Sequence, residues 1–155
     1  MLYNLSMLLV ENRKAHMEYQ LLHVYTAGIV LSGPEVKSLR KKNASFFGSY
    51  IKMIGGEAFL LNAQITPYAS ADNTEYYPKR TRKLLLKKNE IDQLIDASVK
   101  GVTIIPLSFE VLGRHIKLRL ALAKGKKQFE RRAELKKRAV ERDVQREMKD
   151  KVKMR

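Results

Sequence analysis

The last fifth of the chain, from Lys124 to Arg155, sets the first constraint, because it is too basic and too poor in apolar residues to join a hydrophobic core. It holds fourteen Lys or Arg against six Asp or Glu, supplying +8 of the formal +15 carried by all 155 residues. No Pro interrupts it, and no Gly follows Gly125. Its larger apolar residues are Phe129, Leu135, Val140, Val144, Met148 and Val152, the last four spaced by four. This is helical periodicity with a stripe only one residue wide. Helix nucleation is unfavourable, and helices in proteins depend on burying an apolar face. The expectation is therefore a basic tail, 124–155, that is disordered when free and helical when a polyanion orders it. From these residues alone, a solvated charged helix and an RNA-binding segment are equally consistent.

Without the tail, residues 1–123 suffice for one hydrophobic core. Seventeen Lys or Arg face ten Asp or Glu there, so the positive field extends beyond the tail and favours nucleic acid as partner. An anionic membrane surface would require a helix with a broad Leu, Phe or Trp face, which the tail lacks. The absence of cysteine excludes disulfides, thiolate metal sites and cysteine nucleophiles, and fits a reducing compartment. Met1 to Val10 has neither the basic region nor the cleavage site of a secretory signal, and no run approaches the ~18 apolar residues of a membrane span. A soluble cytoplasmic protein is expected.

Tyr19 to Leu31 is rich in Val, Ile, Tyr and Leu and is interrupted at Thr26-Ala27-Gly28, which predicts two strands joined at Gly28. Ser32-Gly33-Pro34-Glu35 has the spacing of a capping box with Pro in the first helical turn, so a helix is expected from Glu35 to about Lys42. Strands at 49–54 and 57–65 flank Gly55-Gly56, a two-residue hairpin turn. Thr66 to Lys79 reads as a polar loop. After RTRKLLLKKNEI, Asn89 is expected to cap a second helix, from Glu90 to about Val99 and closed by Gly101. Val102–Phe109 and His115–Ala123 complete the strands. The fold expected is mainly β: an OB-like antiparallel barrel with two short helices, a shape whose face and loops suit oligonucleotides.

No catalytic constellation emerges. His16, His23 and His115 are widely separated, without metal-ligand spacing. Glu18, Glu35, Glu57 and Glu110 form no recognisable carboxylate pair, and no nucleophile elbow, phosphate loop or dinucleotide fingerprint occurs. A binding module without metal or cofactor is the stronger reading. Tyr19 and Leu85 read from pattern alone as core residues.

In order along the chain, NRKA (from Asn12), GIVLSGPEVKSLR (from Gly28), NAQITPY (from Asn62), RTRKLLLKKNEI (from Arg80), TIIPL (from Thr103) and ALAKGKKQFERR (from Ala121) resemble the SmpB family, the SsrA-binding proteins of bacterial trans-translation. The resemblance implies an OB-like barrel that binds the tRNA-like domain of transfer-messenger RNA. It also implies a tail that becomes helical in the empty mRNA channel of a stalled ribosome's small subunit. The complex would include alanyl-transfer-messenger RNA delivered by elongation factor Tu, with the protein as a monomer bound one-to-one.

Carried over by position, Asn12, Arg13, Lys14, Tyr19, Lys37, Arg40, Arg82, Lys83, Leu85, Lys117, Lys124, Lys126 and Lys127 fall in the RNA-binding set. The cations among them serve phosphates, and Tyr19 an unpaired base. Phe129, Arg131, Arg132, Lys136, Arg138 and Met148 fall in the set for the decoding centre and mRNA channel. The chain departs from the family at Thr26, where an acidic residue is usual, at Met17, where His or Arg is common, at Gln64 and Lys87, where His is common, and at Pro34, which replaces a common Thr. The barrel and charge alone would also fit a general single-strand binder, with aromatics stacking on bases. An RNA-processing enzyme dependent on Glu35 or Glu110 is the remaining alternative.

Overall fold

The computed structural model describes residues 6–69, 71 and 75–153. The chain divides into two compact units, Met1–Lys124 and Gly125–Arg155. The first contains β1 (Ser6–Glu11), α1 (Arg13–Glu18), β2 (Tyr19–Ile29), α2 (Gly33–Arg40), β3 (Ala44–Ser45), β4 (Tyr50–Ile54), β5 (Glu57–Leu61), β6 (Gln64–Ile65), β7 (Arg82–Leu85), α3 (Lys88–Val99), β8 (Thr103–Leu112) and β9 (His115–Gly125), whose last residue opens the second unit. Seven strands form one sheet in the order β1-β8-β9-β2-β7-β5-β4, and β3 pairs separately with β6. Every pairing with a described register is antiparallel. β4 also approaches β8, so the sheet curls back on itself. β1 and β4 remain as edges, so the closed ring of the expected barrel is not part of the described pairing.

Local signals place several elements well. Ser32 and Glu35 form the reciprocal capping box, Ser32 N–H donating to Glu35 Oε1 at 2.9 Å and Glu35 N–H to Ser32 Oγ at 3.4 Å. Gly55 and Gly56 have φ of 59° and 78°, the left-handed backbone of the turn that joins β4 to β5. Gly101, at φ 81°, follows the end of α3.

The structure departs from the sequence expectations or adds to them at three places. β2 is one continuous strand rather than two: Tyr25 and Ala27 face the core while Thr26 points to solvent. Gly28 serves close approach, since a Cβ there would lie 3.1 Å from Leu85 Cβ, whereas Cβ atoms facing each other across a sheet are ordinarily about 4.5–5.5 Å apart. The NRKA segment opens a helix, α1, too short to show a period in the sequence. It is anchored by Asn12, whose backbone N–H donates to Leu107 O at 2.7 Å and whose Nδ2 donates to Pro106 O at 2.8 Å. Asn89 lies inside α3 instead of capping it; Glu90 Oε1 accepts the Lys87 N–H at 3.0 Å and so satisfies the helix start.

The main core gathers Leu39, Leu60, Ile65, Leu84, Leu94, Leu118 and Leu120 around Phe109, which stacks on Phe46 at 4.7 Å. A smaller cluster seats Ala15 of α1 against Ile105, Leu107, Ala121 and Ala123. Pro106 lies within β8 at a register shift between Pro106 and Ser108; the bulge accommodates a residue that has no N–H for the ladder. Leu118 is fully buried, so Leu118→Ala is expected to cost about 2–5 kcal/mol, measured as a shift of the denaturant midpoint with unchanged slope.

The second unit contains α4 (Gln128–Lys153). The tail expected to be disordered when free is a continuous helix in this structure. Its Lys, Arg, Glu and Ala are strong helix formers. Glu130 Oε2 accepts the Lys127 N–H at 3.1 Å at the start, and Lys151 and Lys153 sit in the last turn, where the helix dipole favours cations. Leu135, Val140, Val144, Met148 and Val152 are all exposed, as the thin stripe implied.

Candidate nucleic-acid interface

β7 divides the RKLL motif by strand alternation. Arg82 and Leu84 turn inward, and Lys83 and Leu85 turn outward. Leu85, which the pattern alone assigns to the core, is 53% exposed. It lies across from Gly28, on the face of the sheet that also presents Thr26. Lys83 pairs at 2.9 Å with Glu57, both side chains reaching solvent. An apolar side chain over bare glycine backbone, flanked by lysine, forms a contact surface of mixed character.

Arg82 does not belong to that surface. It is fully buried, and each guanidinium nitrogen donates to a protein acceptor: Nε to Glu35 Oε2 at 2.5 Å, Nη1 to Ala63 O at 2.8 Å and Arg80 O at 3.1 Å, and Nη2 to Pro78 O at 3.0 Å. The expectation that it meets RNA phosphate is therefore corrected; its charge is matched by Glu35, itself buried. Arg80 completes the cluster from the solvent side, Nε donating to Glu35 Oε1 at 3.1 Å and Nη2 to the same oxygen. Burial would raise the Glu35 pKa, but the hydrogen bonds from Arg80 and the Ser32 N–H, with the Arg82 charge, outweigh it and hold the carboxyl below its ordinary value.

The remaining residues fall into groups. Asn12, Arg13, Lys14 and Tyr19 line one groove of about 380 Å³ together with Phe47 and Tyr50. Asn12 serves it through backbone anchoring. Arg13 and Lys14 are exposed, Lys14 lying 3.6 Å from Glu18 and 5.9 Å from the centre of the Phe47 ring. Tyr19 is half-buried. Lys37 and Arg40 project from α2, with Lys37 and Lys41 at 5.4 and 5.0 Å from the Tyr68 ring centre. Lys117 is half-buried opposite Glu110 in the β8–β9 register.

In the second unit, Lys127, Arg131, Arg132, Lys136 and Met148 are exposed, as is Lys124 just before it. Lys126 pairs with Glu134, which also takes Arg138 at 3.1 Å. The Lys126 hydrogen bond, above all, and the neighbouring positive charges lower the Glu134 pKa. The Phe129 side chain lies outside the described residues. Sequence reasoning missed Phe47 and Tyr77, both strongly exposed; their only signal was an aromatic next to Gly or Pro in a loop.

Among the described residues, no group of three or more His, Asp or Glu could hold a metal ion, and no helix is long and apolar enough to cross a membrane. A mainly antiparallel sheet with cations and aromatics at its surface, followed by a strongly basic helix, defines a nucleic-acid-binding class. The sequence model of the SmpB protein matches residues 9–150. The SsrA-binding protein of Aquifex aeolicus is 47% identical over 93% of both chains, and that of Lawsonia intracellularis 46% identical over 92% of this chain and 93% of its own. A solved structure described as "tmRNA-SmpB: a journey to the center of the bacterial ribosome" is 42% identical, with a TM-score of 0.64 over 76% of this chain and 84% of that one. The chain belongs to the SmpB family.

Two outcomes follow from the Glu35 cluster. Glu35→Gln is expected to destabilise by about 3–5 kcal/mol, since it strands buried guanidinium charge. Because the folded-state pKa is lowered, the Glu35 contribution is complete above the ordinary carboxylate range and is lost as pH falls through the folded-state value. Acid titration of the unfolding free energy should show that loss in the wild type and its absence in Glu35→Gln. Separately, Lys37→Ala should lower the slope of log affinity for RNA against log salt by about 0.7–0.9. A folded Arg82→Met, tested by the same titration, should leave that slope unchanged.

Proposed function

We propose that this protein binds the tRNA-like domain of transfer-messenger RNA through its first unit and acts in trans-translation, rescuing stalled ribosomes through its basic helix. The family match across residues 9–150, spanning both units, carries this reading. On the first unit, Leu85 and Thr26 supply a surface for splayed bases, and Lys83, Arg13, Lys14, Lys37 and Arg40 supply charge for phosphates. Tyr19 stacks within its groove, with Lys117 at the sheet.

The exposed cations of α4, Arg131, Arg132 and Lys136, grip ribosomal RNA, with Phe129 and Arg138 in the first turns. The exposed Met148 stripe packs along the mRNA channel. Lys124, Lys126 and Lys127 lead into that helix. The protein acts by binding rather than catalysis, in the cytoplasm, as a monomer on alanyl-transfer-messenger RNA brought by elongation factor Tu.

Removing Lys124–Arg155 should leave most of the affinity for the tRNA-like domain while abolishing tagging of nascent chains on stalled ribosomes. Equal loss of both would overturn the division between the two units. Leu85→Ala should weaken binding to the tRNA-like domain roughly tenfold by removing apolar contact, with the melting temperature nearly unchanged. Affinity equal to that for unstructured RNA of the same length would instead favour a general single-strand binder.

A further inference from the structure

The approach to β7 carries a second groove, which holds none of the residues assigned above to RNA. Gln64, Tyr77, Pro78, Lys79, Arg80 and Thr81 line an open concavity of about 650 Å³, within the range of small-ligand sites. The Tyr77 side chain is 74% exposed, so its ring adds little to the stability of the fold. Lys79 is exposed. Arg80 and Arg82 share the one carboxylate of Glu35, which leaves an excess positive charge. Arg82 is sealed inside, so that excess is felt at Arg80, the member of the pair that reaches solvent.

The backbone beneath the groove is pinned. Pro78 O accepts from Arg82 Nη2 at 3.0 Å and from the Ile65 N–H at 2.9 Å. The Tyr76 hydroxyl donates to Ile65 O at 2.7 Å, and the Arg80 N–H donates to Tyr77 O at 3.2 Å. An exposed ring and two cations are thus presented on a segment already ordered from below, which reduces the entropy a ligand must overcome.

We propose that this groove binds an unpaired nucleotide of RNA, the Tyr77 ring stacking on the base and Lys79 and the outer edge of Arg80 holding its phosphate. Gln64 offers an amide with both donor and acceptor to a base edge. Stacking on an aromatic side chain accepts any base, and cations beside it track the backbone. An acidic peptide would engage the cations and leave the Tyr77 face without a planar partner. The site rests on the RNA-binding function proposed above and extends it to a surface outside the β2–β7 face.

The test uses the full-length chain as wild type, Tyr77→Ala, Tyr77→Phe and Lys79→Ala. Equilibrium binding is measured to the isolated tRNA-like domain and to ribosomes stalled on truncated mRNA, each across a salt series. The substitutions lie outside the core, and melting temperatures verify folding. Tyr77→Ala should weaken binding to one of the two RNAs by roughly 5- to 100-fold, as expected for one stacked base, and Tyr77→Phe should retain most of the affinity. Lys79→Ala should lower the salt slope for the same RNA by about 0.7–0.9. The RNA that loses affinity identifies the source of the nucleotide. If the wild type binds both RNAs and Tyr77→Ala binds them equally well, the site is overturned while the proposed function stands. Loss in Lys79→Ala alone also overturns it, because charge without stacking is not this site. A wild type with no preference for the tRNA-like domain and no affinity for stalled ribosomes would overturn the proposed function and this site together.

Discussion

Glu35 is a buried carboxylate on α2 enclosed by Arg80, just before β7, and Arg82, its first residue, and the arrangement of the outer face of β7 depends on it. Through Arg82, it fixes the carbonyls of Ala63, Pro78 and Arg80, joining α2, the segment before β6 and the end of the long loop. An isolated buried charge is costly, and a paired one is tolerated only where its remaining donors and acceptors are satisfied. Each guanidinium nitrogen of Arg82 has an acceptor. The same carboxylate also takes part in the α2 capping box through Ser32, so helix start, loop end and strand start are set by one group.

With Arg82 turned inward by that network, alternation along β7 sends Lys83 and Leu85 outward. Gly28 matters at the same place. The close approach of β2 to β7 makes any Cβ at position 28 crowd Leu85, and with glycine there the leucine lies over bare backbone at the surface. The inner and outer faces of this strand consequently perform different work. One links the loop to the core, and the other presents apolar area beside charge to solvent.

Much of the architecture was legible from short patterns. Ser32 and Glu35 announced α2, Gly55-Gly56 announced the β4–β5 hairpin, and the strand expected over His115–Ala123 announced β9. The candidate interface was less legible. Arg82 and Lys83 look alike as neighbouring cations, and Leu85 looks like a core leucine. Gly28 reads as a turn residue because close approach between strands has no local sequence signature. α1 escaped notice because six residues do not complete two helical turns, leaving its anchoring by Asn12 to a strand far along the chain.

By itself the sequence determined the basic, core-poor C-terminal stretch, the mainly β body, the capped helix α2 and the family, since caps, turns and periodicity act between residues a few positions apart and the motifs recur in order. Only the tertiary structure decided which cation is spent inside the protein and which faces solvent. Arg82 and Glu35 are 47 residues apart, and Gly28 and Leu85 meet only across paired strands. Contacts of that range exist once the sheet has assembled, because burial and charge pairing depend on which elements the fold brings together.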